Sequence, residues 1–143
     1  MARVTLELPD NFIYKTRMQV RYTDLNTGGH VGNDQMISLI SSARYSFFQH
    51  LNVNLENIDN HRIVVTDLVT SYRAESFAEE HLNFELGFMD FNKYGADIIF
   101  RVTKDDDTLV TLAKTGFVFM NQANKVAPIP PGFLNLLPES VRP

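Results

Sequence analysis

Apolar and polar residues alternate from Tyr14 to Tyr22: Met18, Val20 and Tyr22 fall on one side, Lys15, Arg17, Gln19 and Arg21 on the other. A period of two predicts a strand with one face buried. After Asn33 the period lengthens. Met36, Ile40, Ala43, Phe47 and Leu51 recur at helical spacing, flanked by Ile37 and Phe48. That pattern predicts a helix from Asn33 to Leu51 with a wide apolar stripe and heavy burial. Asn33 is the expected N-cap, and Asp34 suits a first turn where the helix dipole favours negative charge.

The remainder reads as strands. Arg62 to Tyr72 is apolar at Val65, Leu68 and Val69, and Glu80 to Asp90 sets Leu82, Phe84, Leu86 and Phe88 against His81, Asn83, Glu85 and Gly87. A turn over Asn92 to Gly95 leads to a strand at Asp97 to Thr103, and Asp105-Asp106-Asp107 closes a hairpin onto Leu109 to Asn121. The tail from Val126 carries Pro128, Pro130 and Pro131, which predict neither strand nor helix there. Strand, long buried helix, then four strands is an α+β order. An antiparallel sheet buries its apolar face against whatever layer is available, and here that layer is the one helix. The expected architecture is a five-stranded antiparallel sheet curled around one long central helix. The 143 residues predict a single domain over 1–143.

Composition narrows the chemistry more than the fold. A net charge of −4 without any run of Lys and Arg argues against nucleic acid as a partner. The absence of cysteine excludes disulfides, a thiolate nucleophile and Cys-ligated metal. Glu7, Pro9 and Asp10 stand where a signal peptide needs an apolar core, and no apolar stretch approaches a membrane span. The expectation is a cytoplasmic protein with no membrane partner. No phosphate-binding loop, serine-hydrolase elbow or zinc helix motif occurs, and His50, His61 and His81 lack metal-ligand spacing. No metal is expected. The aspartates at 105–107 lack the alternation and closing Glu of a calcium loop and read as a solvated hairpin tip.

One stretch could carry chemistry, Tyr22-Thr23-Asp24-Leu25-Asn26-Thr27-Gly28-Gly29-His30-Val31-Gly32-Asn33. Asp24 offers a carboxylate, His30 a group that titrates near neutrality, and the helix start at Asn33 unpaired N–H groups that can polarise a carbonyl. Together they are the minimum apparatus for acyl transfer. The same residues also make ordinary strand-to-helix turns, and by spacing alone the plain turn is the commoner outcome.

The stretch resembles the signature of the 4-hydroxybenzoyl-CoA thioesterase group of the hotdog superfamily. That signature is an aromatic, a small residue, Asp, any residue, Asp, two residues, then Gly-His-Val-x-Asn entering the central helix. It is matched here by Tyr22-Thr23-Asp24-Leu25-Asn26 and by Gly29-His30-Val31 with Asn33. Ala43-Arg44, Leu68 to Arg73 and Pro128-Ile129-Pro130 are similar to family segments, so the likeness covers nearly the whole chain. It implies a hotdog fold, hydrolysis of an acyl-CoA or acyl-carrier thioester, no cofactor beyond coenzyme A as part of the substrate, and a homodimer or homotetramer with sites at the subunit interface. An unpaired sheet edge and an aromatic content of 11% are consistent with such pairing.

The departure lies at Asn26, where the family carries its catalytic Asp. An amide neither takes a proton from water nor attacks a thioester. Asp24 matches the other Asp of the motif. In an extended chain Asp24 and Asn26 would share a side, about 6.6 Å apart. The resemblance then implies Asp24 as a base acting on water, Asn26 as an orienting group, His30 as support for Asp24 or the loop, and Asn33 as the polarising N–H. The acyl group is expected beside Met36 and Ile40 and a partner subunit, and Arg73 and Lys93 are candidates for the coenzyme A phosphates. The alternative is a non-catalytic acyl-thioester or lipid binder that lost its base at Asn26. A hydratase or dehydratase of the same superfamily is a weaker third, because the matching carboxylate and His are absent.

Overall fold

The computed structural model describes residues 3–143. Its strands are β1 (Tyr14–Gln19), β2 (Arg62–Tyr72), β3 (His81–Met89), β4 (Gly95–Lys104), β5 (Leu109–Met120) and β6 (Val126–Ala127); its helices are α1 (Asn33–His50) and the single turn α2 (Pro131–Leu134). All strand pairs are antiparallel, in the order β1-β3-β4-β5-β2, with β6 added to β5. The sheet therefore has six strands, not five.

The alternation expected in β3 holds: Leu82, Phe84, Leu86 and Phe88 are buried against α1. The helix contributes Met36, Leu39, Ile40, Ala43, Phe47 and Phe48 to the same core. Eight of the eleven phenylalanines (Phe47, Phe48, Phe84, Phe88, Phe100, Phe117, Phe119 and Phe133) lie in it. Their rings pack in tilted and edge-on pairs such as Phe119–Phe133, with centroids 4.9 Å apart. Most of the phenylalanine is thus used inside the subunit, while Tyr45, Tyr72 and Phe77 remain on its surface.

Two sequence expectations fail for local reasons. The tail is not irregular: Val126–Ala127 pairs with Phe119–Met120, and Pro131 opens a helical turn. The prolines permit both, because they follow the short strand, and Pro is tolerated in a first turn where its missing N–H is not needed. The first strand stops at Gln19, and Tyr22–Asp24 forms a 3-10 turn that leaves Tyr22 85% exposed.

The sheet curls around α1 unevenly. The helix lies over the β1–β3 half, and β2 forms a far edge with no further strand beyond it among the described residues. Val65, Leu68, Thr70 and Tyr72 pair with Phe117, Thr115, Ala113 and Thr111, and so turn toward the helix side. Even so, Val65, Leu68 and Tyr72 remain 42%, 39% and 36% exposed. A strip between α1 and β2 is left uncovered.

Candidate active site

The α1 N-terminus opens at one end of this strip. Gly32, not Asn33, is the N-cap: its backbone is extended (φ −71°, ψ 161°) and no side chain caps the helix. The first helical bond runs from the Met36 N–H to the Gly32 carbonyl at 2.9 Å. The N–H groups of Asn33, Asp34 and Gln35 point ahead of the helix without protein acceptors among the described residues. Tyr72 crosses from β2 and donates its hydroxyl to the Asn33 carbonyl at 3.0 Å.

The loop before α1 is folded by its own polar groups. Asp24 is 5% exposed, and its carboxylate accepts from the Arg21 backbone N–H at 2.8 Å and from the guanidinium at 3.2 and 3.1 Å. Burial works against the ionised carboxyl, but the hydrogen bonds and charge of Arg21 outweigh it and hold the pKa below the ordinary carboxylate value. The 3-10 turn removes the extended geometry in which Asp24 and Asn26 would share a side: Asp24 is buried and Asn26 is exposed. A carboxylate whose oxygens are taken up by Arg21 is a weak base, and its place is that of a clamp on the turn.

Asn26 Oδ1 accepts from the Gly28 N–H at 2.9 Å and the His30 N–H at 3.4 Å, while backbone bonds join Asn26 N to His30 O and Gly29 N to Asn26 O. Gly29 adopts φ +79°, the left-handed region in which glycine carries no steric penalty. The His30 ring contacts the Val31 carbonyl through Nδ1 at 3.1 Å. Its Nε2 faces Glu75 Oε1 at 3.8 Å.

Asn26, His30 and Asn33 are thus brought to the helix N-terminus, and Arg73 is one residue from Tyr72, exposed, with its guanidinium donating to Ser71 Oγ at 2.7 Å. Met36 and Ile40 are 3% and 1% exposed, and they belong to the core stripe facing the sheet rather than to an open wall. Lys93 lies in the β3–β4 turn, at the end of the sheet remote from the α1 N-terminus, over the Tyr94 ring at 5.5 Å. Within one subunit it does not join the others.

Sequence reasoning missed the groups that line the strip. A hollow of about 250 Å³ is walled by Ser41, Arg44, Tyr45 and Phe48 of α1 and by Ile63 and Val65 of β2. Arg44 is half-buried, has no carboxylate partner among the described residues, and touches only Ser41 Oγ at 3.4 Å. Burial pulls its pKa down from the usual arginine value. The hydroxyls of Thr70, Thr111, Thr115 and Ser76 are buried without hydrogen-bond partners among the described residues. Thr111 and Thr115 share the helix-facing side of β5 with the fully buried Ala113. No sequence signal separates such threonines from β-branched residues that simply suit a strand. No group of three or more His, Asp or Glu side chains that could hold a metal occurs among the described residues.

The model of the thioesterase-like superfamily matches residues 20–137. The chain belongs to this superfamily. As a thioesterase-like protein it shares its fold with solved structures of low identity. A 1,4-dihydroxy-2-naphthoyl-CoA thioesterase from Synechocystis is 17% identical over 86% of this chain and 93% of its own, with a TM-score of 0.79. The YbaW probable thioesterase from Escherichia coli is 20% identical over 85% and 94%, with a TM-score of 0.71. SAV2348 from Staphylococcus aureus, solved in complex with CoA, is 15% identical over 92% and 85%, with a TM-score of 0.80. No curated protein matches the sequence. The hotdog architecture inferred from the motif is the one found, and no helix among the described residues is long and apolar enough to cross a membrane.

Proposed function

We propose that this thioesterase-like protein hydrolyses an acyl-CoA or acyl-carrier thioester to the free acid and thiol. The observation that carries the reading is the uncapped α1 N-terminus beside the uncovered strip. A thioester carbonyl laid against the Asn33 and Asp34 N–H groups gains hydrogen bonds and the positive end of the helix dipole as its oxygen becomes an oxyanion. Water attacks the carbonyl carbon, the tetrahedral intermediate collapses, and the C–S bond breaks to release thiolate. The acyl group follows the strip between α1 and β2, past Ile37, Ser41 and Arg44, rather than lying on Met36 and Ile40. Arg73 is the cation placed to meet a phosphate of coenzyme A.

A second copy of the chain covers the strip in this reading. The β2 edge offers unpaired backbone groups flanked by Val65, Leu68 and Tyr72, a surface that an antiparallel partner strand extends. Asp24 serves as the clamp that fixes the turn, and the base lies elsewhere.

One observation favours a non-hydrolytic binder. Asn26 stands at the position of the family carboxylate, and its amide oxygen is already used by the loop. The discriminating experiment is thiol release by the purified protein from aromatic, short and long acyl-CoAs, with binding of a non-hydrolysable thioether analogue measured alongside. Turnover supports the hydrolase. Tight binding of the analogue with no thiol release supports the binder.

A further inference from the structure

We propose that His30 and Glu75 form a dyad that supplies the base missing from position 26: the Val31 carbonyl orients the His30 ring, Nε2 takes the proton of the attacking water, and the Glu75 carboxylate stabilises the imidazolium that forms. This rests on the hydrolase reading above and names the groups that would carry its proton transfers.

The backbone brings the pair together. His30 bridges Phe77 in antiparallel fashion, and the Val31 N–H donates to the Ser76 carbonyl at 2.8 Å. Continuing that register by two residues sets Glu75 opposite Gly32, the N-cap of α1. A carboxylate is thereby fixed beside both His30 and the helix start where the thioester carbonyl would rest.

The tautomer of His30 follows from its partner. A carbonyl oxygen can only accept, so the Nδ1 that faces Val31 O at 3.1 Å carries the hydrogen. The neutral ring then presents a lone pair at Nε2, the atom 3.8 Å from Glu75 Oε1. That separation suits an ion pair formed once Nε2 is protonated, and catalytic contacts commonly tighten when substrate binds. The His30 side chain is 27% exposed and that of Glu75 64%, so water reaches both.

Gly28 links this pair to the altered position. A Cβ added there would lie 3.3 Å from Asn26 Oδ1 and 3.3 Å from His30 Nε2. Nε2 and the residue replacing the family carboxylate therefore border the same small space.

The other charged groups nearby are otherwise engaged or aimed elsewhere. Asp24 is bound to Arg21, and Glu80 accepts from the Phe77 N–H at 2.7 Å and pairs with Lys104 at 3.1 Å. Asp34 sits on the first turn of α1 beside Gly32, and Arg73 bonds Ser71. Glu75 has no ion-pair partner other than His30 among the described residues.

In the reaction, the water O–H bond breaks as Nε2 binds its proton, and the oxygen forms a bond to the thioester carbon. On collapse the C–S bond breaks and the Nε2–H proton passes to the departing thiolate. Water and thioester are consumed, acid and thiol are formed, and His30 returns to its starting state.

The test uses the full chain with Glu75→Gln, Glu75→Asp, His30→Ala and His30→Asn. The last keeps a side-chain donor for the Val31 carbonyl while removing Nε2. Loss of a general base lowers kcat by about 10²–10⁴-fold, and both His30 variants are expected to fall in that range. Added imidazole should restore part of the His30→Ala rate and none of the Glu75→Gln rate. Glu75→Gln should lose roughly tenfold in kcat at unchanged KM and unchanged thioether affinity, with Glu75→Asp between it and the unaltered protein. Turnover within about twofold of normal in Glu75→Gln or His30→Asn, or a loss confined to KM, overturns the dyad while leaving the hydrolase reading in place. Analogue binding without thiol release by the unaltered protein overturns both.

Discussion

Arg21 and Asp24 close the 3-10 turn between β1 and the site loop by donating and accepting at both ends. The Arg21 backbone N–H and guanidinium bind the Asp24 carboxylate, and the Asp24 N–H donates to the Arg21 carbonyl at 2.9 Å. The turn converts a buried carboxylate into a structural element. It also rotates the following residues out of the strand, so that Asn26 and His30 gather at the α1 N-terminus.

Asp24→Asn is expected to act on stability before activity. The folded pKa is depressed, so the contribution is fully present above the unfolded value near 4 and is lost as pH falls through the folded one. The cost at neutral pH should be about 1 kcal/mol, kept small because Arg21 is mostly exposed and its charge is screened. Urea denaturation at pH 7 and at pH 3 should show the difference from the unaltered protein shrinking in acid. A drop of roughly 10²-fold or more in kcat without a stability change would instead make Asp24 the base.

Gly29→Ala tests whether the loop conformation matters to the site. At φ +79° a Cβ costs about 1–2 kcal/mol, although no atom lies within 4 Å to clash with it. The strain falls on the loop that sets His30 and not on the core. Turnover should drop by more than the few degrees that this strain takes from the melting temperature would explain, and Gly29→Asn should recover much of the rate because asparagine tolerates that region. Equal effects on stability and turnover would show that the loop folds as part of the core.

The repeating patterns were legible because each had a surface to repeat against. Leu82, Phe84, Leu86 and Phe88 alternate over a single buried face, and Met36, Ile40, Ala43 and Phe47 stack along one helix. The motif loop pointed to the junction of β1 and α1, where the structure gathers Asn26, His30 and Asn33. Single contacts were not legible. Tyr22 continues the alternation of β1, yet the Arg21–Asp24 bonds turn the chain before it. Asn33 is a better capping residue than Gly32 by type, but Gly32 fits the crowded entry, where a Cβ would meet Gln35 Oε1 and Asp34 Oδ1. A stripe reveals that a helix is buried, not which layer buries it, so Met36 and Ile40 read equally well as acyl wall or as core. Glu75 stands 45 positions from His30, and only the pairing of Val31 with Ser76 brings it near.

The β2 edge predicts an oligomer that one charge should disrupt. Val65→Glu and Leu68→Glu place carboxylates on a half-exposed apolar strip. Neither side chain is needed to fill the subunit core, so the fold should survive. Light scattering should shift each variant to the mass of a single chain, and thiol release should fall with it if the acyl group needs the second copy. An unchanged mass would move the interface to another surface.

Phe133 tests how much of the core the C-terminal segment supplies. Its side chain is fully buried, with ring centroids 4.9 Å from Phe119, 6.0 Å from Phe117 and 6.2 Å from Phe88. The segment is held by the Val126–Ala127 pairing and by the Gly132 N–H, which donates to Asp59 at 2.7 Å. Removing the ring leaves a cavity that these tethers keep from collapsing, and Phe133→Ala should cost about 3–5 kcal/mol in chemical denaturation. Asp59→Asn, which keeps a side chain suited to the φ of +50° at this position, should cost only about 1 kcal/mol, because it weakens one exposed hydrogen bond to the turn. A small effect of Phe133→Ala would show that the tail relaxes away from the core. The sheet end beneath it, where Phe117 and Phe119 lie, would then be closed by β6 alone.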